Sequence, residues 1–571
     1  MFGSLYAKVQ LPFGITYQAN FSPGLDQYRT FNHQSSKNPN VTIPGGSASR
    51  AQETRYNWQL DNLLKWNRTI ATDHNIDVTL LVNAEKYSTW YTIASNEGFA
   101  PTDVLGYHNI QSGNKPTVSS DDKVYTGDAL MARVNYSYKG RYALTGSVRR
   151  DGYSAFGASK KRANFPAAAV AWTVSEESFL KPVKWIDFLK LRLSYGINGN
   201  REIRDANNVI DPYVAIQTLT GGKYQSVNGS GTPGEVNTVV NSSRLGNPNL
   251  EWEKTKSLNL GLDFGFLNNR INGSIELYDK KTSDLLIGQT LPNVSGYVNV
   301  IANLGRVNNR GFEFSITSKN FTGGNITWST SANLSLNRNK IVGLATPNDD
   351  PGNGWFIGKD IDVIWEYKIL GVWQENEVAE ANKFNKGIKP GDFKLLDVDG
   401  NYVYNDLDKQ FIGYRSPRFN WSFRNDFNIY KNFDFSFQLI SSWGQLRADN
   451  QTKNQPGSVG FGRSSSYVVP YWTPGNPIND YARLNSGLSG VSFNSYRKSS
   501  FIRLNTIALA YSLPKDFLGK LRVQGAKIYA NVSNAGVYAP NWNQWDPQTA
   551  DNNGNPVPTP RVYTFGLNVT L

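Results

Sequence analysis

Four oxygen-bearing side chains recur in one short stretch: Asp397, Asp399, Asn401 and Asp408. Counted from Asp397 they hold positions 1, 3, 5 and 12, a spacing at which a loop can wrap hard oxygen ligands round calcium. An EF-hand has Gly at position 6 and Glu at 12; here Gly400 stands at position 4 and the shorter Asp at 12. The same residues suit an ion-free loop of Asx turns, and both readings stay open. A second set is aromatic. Trp542 and Trp545 lie in Tyr538-Ala539-Pro540-Asn541-Trp542-Asn543-Gln544-Trp545-Asp546-Pro547, and Trp472 in Tyr471-Trp472-Thr473-Pro474. Sugar rings stack on flat aromatics while their hydroxyls take Asn, Gln and Asp partners, so these three tryptophans are candidate substrate contacts. The alternative is loop self-packing or an interfacial aromatic belt.

Catalysis finds little support. The acidic pairs Glu176-Glu177 and Asp121-Asp122 are adjacent, so on a strand they point to opposite faces. The chain has no Cys and three His, His33, His74 and His108. Disulfides, Cys-based zinc sites and thiol nucleophiles are excluded, and no His-based metal motif stands out. The chain reads as a non-enzyme. Net charge is +13, but Lys and Arg are scattered, with no basic run longer than Lys160-Lys161-Arg162. Nucleic acid is therefore not the expected partner; lumen and loop charges, or contact with anionic surface lipid, fit better.

The elements that must position these residues are strands. Leu258, Leu260, Leu262 and Phe264 alternate with Asn259, Gly261 and Asp263, then resume after Asn268-Asn269 as Ile271, Gly273, Ile275 and Leu277. This period of two marks a strand with unlike faces. It recurs through Val134–Val148 around Lys139-Gly140, through Phe312–Trp328 around Phe321–Gly324, and through Trp421–Leu439 around Lys431-Asn432. Long polar stretches, roughly 201–246, 341–363, 446–496 and 539–560, separate the hairpins. Short turns alternating with long loops are the pattern of an outer-membrane β-barrel. Aromatics at 13% suit its interfacial girdles. Mean hydropathy is −0.47, and no apolar run reaches the length of a transmembrane helix. About 16–18 strands are expected. Tyr563 to Leu571 form a terminal amphipathic strand.

Two motifs give this pattern a likeness. Arg149-Arg150-Asp151-Gly152-Tyr153-Ser154-Ala155-Phe156-Gly157 precedes Asn164-Phe165-Pro166, and Asn247-Pro248-Asn249-Leu250-Glu251-Trp252-Glu253-Lys254-Thr255 follows. With Leu189–Asn200, Leu262–Leu286, Asn303–Glu313 and Phe501-Ile502-Arg503-Leu504-Asn505, in that order, the chain resembles the barrel of SusC/RagA-type TonB-linked outer-membrane proteins. The resemblance implies an all-β fold, a transmembrane antiparallel β-barrel of the 22-stranded TonB-dependent transporter type, incomplete here and without a plug. It implies that residues 1–571 are a partial receptor barrel. The signal, β-sandwich extension, TonB box and plug would lie outside the sequence, whose start shows no signal peptide.

The resemblance further implies uptake of glycans (oligosaccharides) or peptides in the outer membrane of Bacteroidetes. The partners would be a SusD-like lipoprotein lid and the TonB-ExbB-ExbD system, reached through the missing N-terminal part. The family often has a similar Asp-rich loop at 397–408, and places the loops bearing Trp472 and Trp542 near the extracellular end. For Asp151 the expected role is an ion pair with Arg149 or Arg150 that fixes a bend, the alternative being a pore-lining role. Two other functions compete with transport. One is an outer-membrane barrel that only binds or adheres. The other is a secreted β-rich glycan-active protein, which would bury its apolar faces and need a converging carboxylate pair about 5–10 Å apart.

Overall fold

The computed structural model describes every residue except 40, 204–209, 228–232, 298, 454–469, 488–490, 515–517, 519–522, 543–545, 550–558 and 571. It is almost wholly β. Among the described residues, seventeen strands share one sheet, within the number that the alternation gives. Among the described residues no helix is long and apolar enough to cross a membrane. Two compact units are distinguished: Met1–Thr173 with Arg192–Asn259 and Lys280–Arg306, and Val174–Leu191 with Leu260–Asp279 and Val307–Leu571.

The first unit contains an antiparallel meander. Leu5–Leu11, Ile15–Gln34, Ser47–Ile70, His74–Glu97, Thr117–Tyr138, Tyr142–Tyr153 and Arg162–Thr173 pair in chain order. The register puts Val134 opposite Gly146, Tyr136 opposite Leu144 and Tyr138 opposite Tyr142, as the alternation predicts. The turn between them spans 139–141, with Lys139 at φ 52° and Gly140 at φ 66°, both left-handed, and the Arg141 amide donating to the Tyr138 carbonyl at 2.9 Å. Ser47–Ile70 and His74–Glu97 have 24 residues each. That is more than twice the 9–11 or so that span a bilayer, so these strands run well past a membrane.

The two signature motifs meet in the core of this unit. Tyr153, Ala155, Phe156 and Phe165 from the first pack with Leu250 and Trp252 from the second, joined by Ile203, Val214 and Ala215. Phe156 and Trp252 ring centroids are 5.1 Å apart. The Trp252 indole N–H donates to the Lys161 carbonyl at 3.1 Å, and the Gly157 amide donates to the Leu250 carbonyl at 2.9 Å. A Cβ on Gly157 would stand 1.8 Å from the Pro248 carbonyl oxygen, so only glycine permits this approach. The third motif closes the clamp: Asn303 Oδ1 accepts from the Glu251 amide at 2.8 Å while its Nδ2 donates to the Glu251 carbonyl at 2.7 Å. Asp151 pairs with Arg149, whose Nε stands 2.9 and 3.0 Å from its two oxygens.

In the second unit Ile326–Gly343, Phe419–Ile429, Phe433–Trp443, Phe501–Ser512, Gly525–Tyr538 and Val562–Thr570 pair antiparallel in chain order. The register sorts the faces. Trp328, Phe427, Phe435, Leu509, Ala530 and Phe565 lie side by side in one row, with Trp328 and Phe427 stacked at 5.6 Å and Phe427 and Phe435 at 5.8 Å. The opposite face carries Asn333 opposite Ser422 and Ser335 opposite Asn420. Connections at one end of these strands are long: 344–418, 444–500 and 539–561. The 430–432 turn at the other end is short, with Tyr430 and Lys431 at φ 51° and 62°.

The long stretches hold more structure than their composition suggests. Thr218–Val227 and Pro233–Arg244 form a hairpin within 201–246. Short strands Val363–Tyr367, Ile369–Val372, Phe393–Leu395, Lys409–Tyr414, Leu446–Ala448 and Tyr496–Lys498 arise in the loops of the second unit. At three to six residues each they are too short to show a period of two, so alternation does not reveal them.

Candidate functional site

The two long connections 344–418 and 444–500 fold together over a core of their own. Tyr367, Val372, Phe393, Leu395, Trp472, Ala482 and Phe493 are buried against one another, and Trp373, Ala381 and Ile388 make a smaller cluster beneath the helix Val378–Phe384. Trp472 is 6% exposed, and its indole N–H donates to Gln374 Oε1 at 2.8 Å. Gly391, at φ +92°, would bring a Cβ within 2.6 Å of that ring; both its conformation and its space demand glycine. Trp472 is thus a core residue of the loops, not an open stacking platform as its motif suggests. Its partner Gln374 lies 98 residues away, which local sequence does not reveal.

Buried charges tie these loops down. Asp392, wholly buried, meets Arg483 Nε at 2.9 Å and accepts from the Lys389 amide at 2.9 Å. Burial pushes its pKa up, with the Lys389 amide and Arg483 opposing. Asp449, also wholly buried, faces Arg497 Nε at 3.3 Å.

Asp397, Asp399 and Asp408 come together, with ligand atoms within 4.8 Å of one another. That suits oxygens sharing one ion at about 2.3–2.6 Å each. Yet all six carboxylate oxygens accept N–H groups. Asp397 takes the amides of Gly400 and Tyr402, both at 2.9 Å. Asp399 takes the Asn401 amide at 3.2 Å and its Nδ2 at 2.8 Å. Asp408, wholly buried, takes the amides of Val398 at 2.7 Å and Asn405 at 2.9 Å. Asn401 Oδ1 accepts from Val403 at 2.7 Å. The residue types fit calcium, and the bonding is that of Asx turns, which leaves each carboxylate oxygen a second lone pair.

The third long connection is anchored by a buried ion pair. Arg503, from the Phe501–Asn505 motif, is 2% exposed and reaches Asp546, 7% exposed, at 2.5 Å; its other terminal nitrogen bonds Asn534. Burial raises the Asp546 pKa, but the Gln548 amide, Arg503 and Thr559 outweigh it and hold the group below its ordinary value. Trp542 is 5% exposed, so it too offers no open face. Trp545 lies outside the described residues.

The polar strand face bears a cavity of about 420 Å³ that alternation did not single out, and Gln548 from the third connection lines it. Glu276, Glu313, Asn333, Asn420 and Ser442 are among its other residues. Asn333 donates to Ser422 at 3.1 Å, and Ser442 to Asn420 at 2.6 Å. Hydroxyls, amides and carboxylates in this arrangement can bind a polar solute; the cavity's lining contains no histidine to activate a nucleophile. Each residue is an ordinary polar alternate on its own strand, and only the register gathers them.

A family profile described as TonB dependent receptor-like, beta-barrel matches residues 4–402. TonB-dependent receptor P26 of Formosa agariphila is 31% identical over 591 residues, covering 97% of this chain and 57% of the relative. TonB-dependent receptor SusC of Bacteroides thetaiotaomicron is 30% identical over 453 residues, covering 77% and 43%. The solved structure of the RagAB peptide transporter superposes with a TM-score of 0.81 at 21% identity, covering 99% of this chain and 61% of that one. The chain therefore spans less than two thirds of each. By the family match, the paired strands and their two-faced register, this chain belongs to the TonB-dependent receptors and carries their outer-membrane β-barrel.

Proposed function

We propose that this chain is the barrel of an energy-coupled nutrient importer of the SusC/RagA kind, taking up oligosaccharides or peptides. The observation that carries the reading is the polar strand face with its cavity of about 420 Å³, backed on the opposite face by the Trp328-to-Phe565 row. One face suits lipid and the other a hydrated path. The folded loops at one end suit capture of solute beneath a SusD-like lipoprotein. Energy would enter through the TonB-ExbB-ExbD system by way of receptor segments outside these 571 residues, the plug and TonB box among them.

Deleting the gene should abolish uptake of one labelled class, oligosaccharide or oligopeptide, and losing TonB should do the same. Retention of both uptakes in the deletion strain would refute the proposal. Co-purification of a lipoprotein from native outer membrane tests the partner.

A further inference from the structure

The first signature motif sends alternate residues to opposite faces of its strand. Arg149 and Asp151 pair on one face, and Arg150 and Gly152 stand on the other. That second face is also the face of Leu144 and Val148, both exposed, and an exposed apolar face is what an outer-membrane barrel turns to lipid. The strand starts at Tyr142, which lies beside Tyr138 and Trp172 in an aromatic row next to the short 139–141 turn. Aromatic rows mark a membrane interface, and short turns the periplasmic side. Tyr142 to Gly152 is eleven residues, a length that crosses a bilayer. Arg150 and Gly152 therefore reach the opposite interface, among the headgroups of the cell-surface leaflet.

Positive charge gathers at that level. The register puts Asp128, Gly152 and Arg162 in one row, and Leu130, Arg150 and Asn164 in the next. Arg162 bonds Asp128 across Gly152. A Cβ on Gly152 would stand 2.5 Å from Asp128 Oδ1 and 3.2 Å from Arg162 Nη1, so glycine opens the path for this pair. The pair engages one terminal nitrogen of Arg162 and leaves the other N–H donors of its guanidinium to spare. Lys86, a diagonal neighbour of Asp128 on the strand His74–Glu97, is exposed, as is Arg150. Among the described residues neither Lys86 nor Arg150 has a carboxylate partner. Their neighbours in sequence, Glu85 and Asp151, stand on the opposite face. Lys86, Arg150 and Arg162 against Asp128 thus leave a positive surplus. On the membrane side of these charges the face is hollow. Gly146 and Ala168 lie opposite each other, and nothing stands within 4 Å of where a Cβ on Gly146 would be.

We propose that Arg150, Arg162 and Lys86 form a binding site for a phosphorylated lipid of the cell-surface leaflet. Arg150 and Arg162 are diagonal neighbours, about 7–8 Å apart at the backbone, so both guanidiniums reach one phosphate and bond its oxygens with charge-assisted N–H groups. Asn164, beside Arg150, offers an amide donor, and Lys86 adds a point charge. Asp128 keeps Arg162 over Gly152, facing Arg150. The hollow at Gly146 and Ala168 takes an acyl chain of the same lipid. Depth sets the choice of ligand: the charges stand where an apolar band of membrane thickness ends, so the phosphate they meet is one carried by a lipid. The site lies on the outward face, so it stands or falls apart from the transport reading.

The test uses the full chain purified in a nonionic detergent, with trace phosphatidate or phosphatidylcholine spin-labelled on an acyl chain. The immobilised fraction of the electron-spin-resonance spectrum reports binding. Phosphatidate should associate at least about tenfold more strongly than phosphatidylcholine, because each basic residue near an anionic lipid adds several-fold. Arg150→Gln together with Arg162→Gln should bring the two lipids within about threefold of each other, in a chain that keeps its β circular dichroism. Inorganic phosphate in large excess should not displace the lipid, since it cannot fill the hollow. Equal association of both lipids with the parent chain would overturn the proposal, and that comparison needs no variant to fold. A full preference retained by the folded double variant would overturn it as well, and displacement by inorganic phosphate would overturn the lipid as occupant.

Discussion

Replacing Asp546 with Asn should release the third long connection while leaving the strands intact. Arg503 and Asp546 are 2% and 7% exposed, so the pair is shielded from solvent and needs little discount for screening. Removing one member of such a pair leaves a buried, uncompensated charge at a cost of about 3–5 kcal/mol. Asn534 still contacts Arg503, which favours the lower end, and the guanidinium escapes most cheaply if the loop swings away. At 1.4 kcal/mol per decade, about 3 kcal/mol multiplies the open population by roughly a hundred. The cysteine-free chain permits a single reporter thiol at Pro547, which is buried. Where opening and closing are fast, maleimide labelling tracks the open fraction. Pro547→Cys with Asp546→Asn should thus label about a hundredfold faster than Pro547→Cys alone. The double change Arg503→Met with Asp546→Leu should restore much of the protection, because an apolar pair removes the stranded charge. A change in labelling of less than about threefold on Asp546→Asn, under 0.7 kcal/mol, would refute the reasoning.

Acid should release the same loop. The folded Asp546 pKa lies below its ordinary 3.8, so the unfolded carboxyl binds protons first. The pair's contribution is present above that value and is lost as pH falls through the lower folded pKa; a nitroxide at Gln548→Cys should become mobile there. Gly157→Ala should cost about 2–4 kcal/mol through forced displacement and loss of the bond to Leu250, read as loss of the heat-resistant folded band in gel electrophoresis. The Asx turns that tie the loop around Asp397, Asp399 and Asp408 need no ion, so the loop should stay folded in chelator. A saturable rise in melting temperature with calcium over chelator would mean the folded state binds the ion. Asp408→Asn should cost about 1–3 kcal/mol, because its amide would turn a donor toward the Val398 or Asn405 N–H.

Much of the fold was legible in alternation and turn chemistry. The Tyr138–Tyr142 hairpin and the Phe423–Leu439 pairing follow from side-chain period alone, because a slip of one residue would exchange the two faces. The Arg149–Asp151 pair was legible too, since residues two apart share a strand face. The loops were not. Composition suggested open aromatic platforms at Trp472 and Trp542, but a tryptophan is buried by whatever the fold brings to it, and for Trp472 that is Gln374, Gly391 and Phe393 from the other connection. The polar cavity escaped for the opposite reason. Asn333, Asn420 and Ser442 are unremarkable singly, and register, a pairing property, assembles them.

The clamp between the signature motifs also bears on how the chain folds. Hairpins such as Tyr138–Tyr142 join near neighbours and close little chain. The bond from Trp252 to Lys161 joins residues 91 apart, so it cannot form until the intervening chain has been brought back at a loop-closure cost. Contacts of that span slow folding. The wholly buried Leu250 must stay uncovered until then, a transient sticky surface on an immature barrel. The clamp is therefore a late-forming part of the fold, and a mutation there such as Gly157→Ala should lengthen exposure to periplasmic proteases as well as lower the stability of the finished protein.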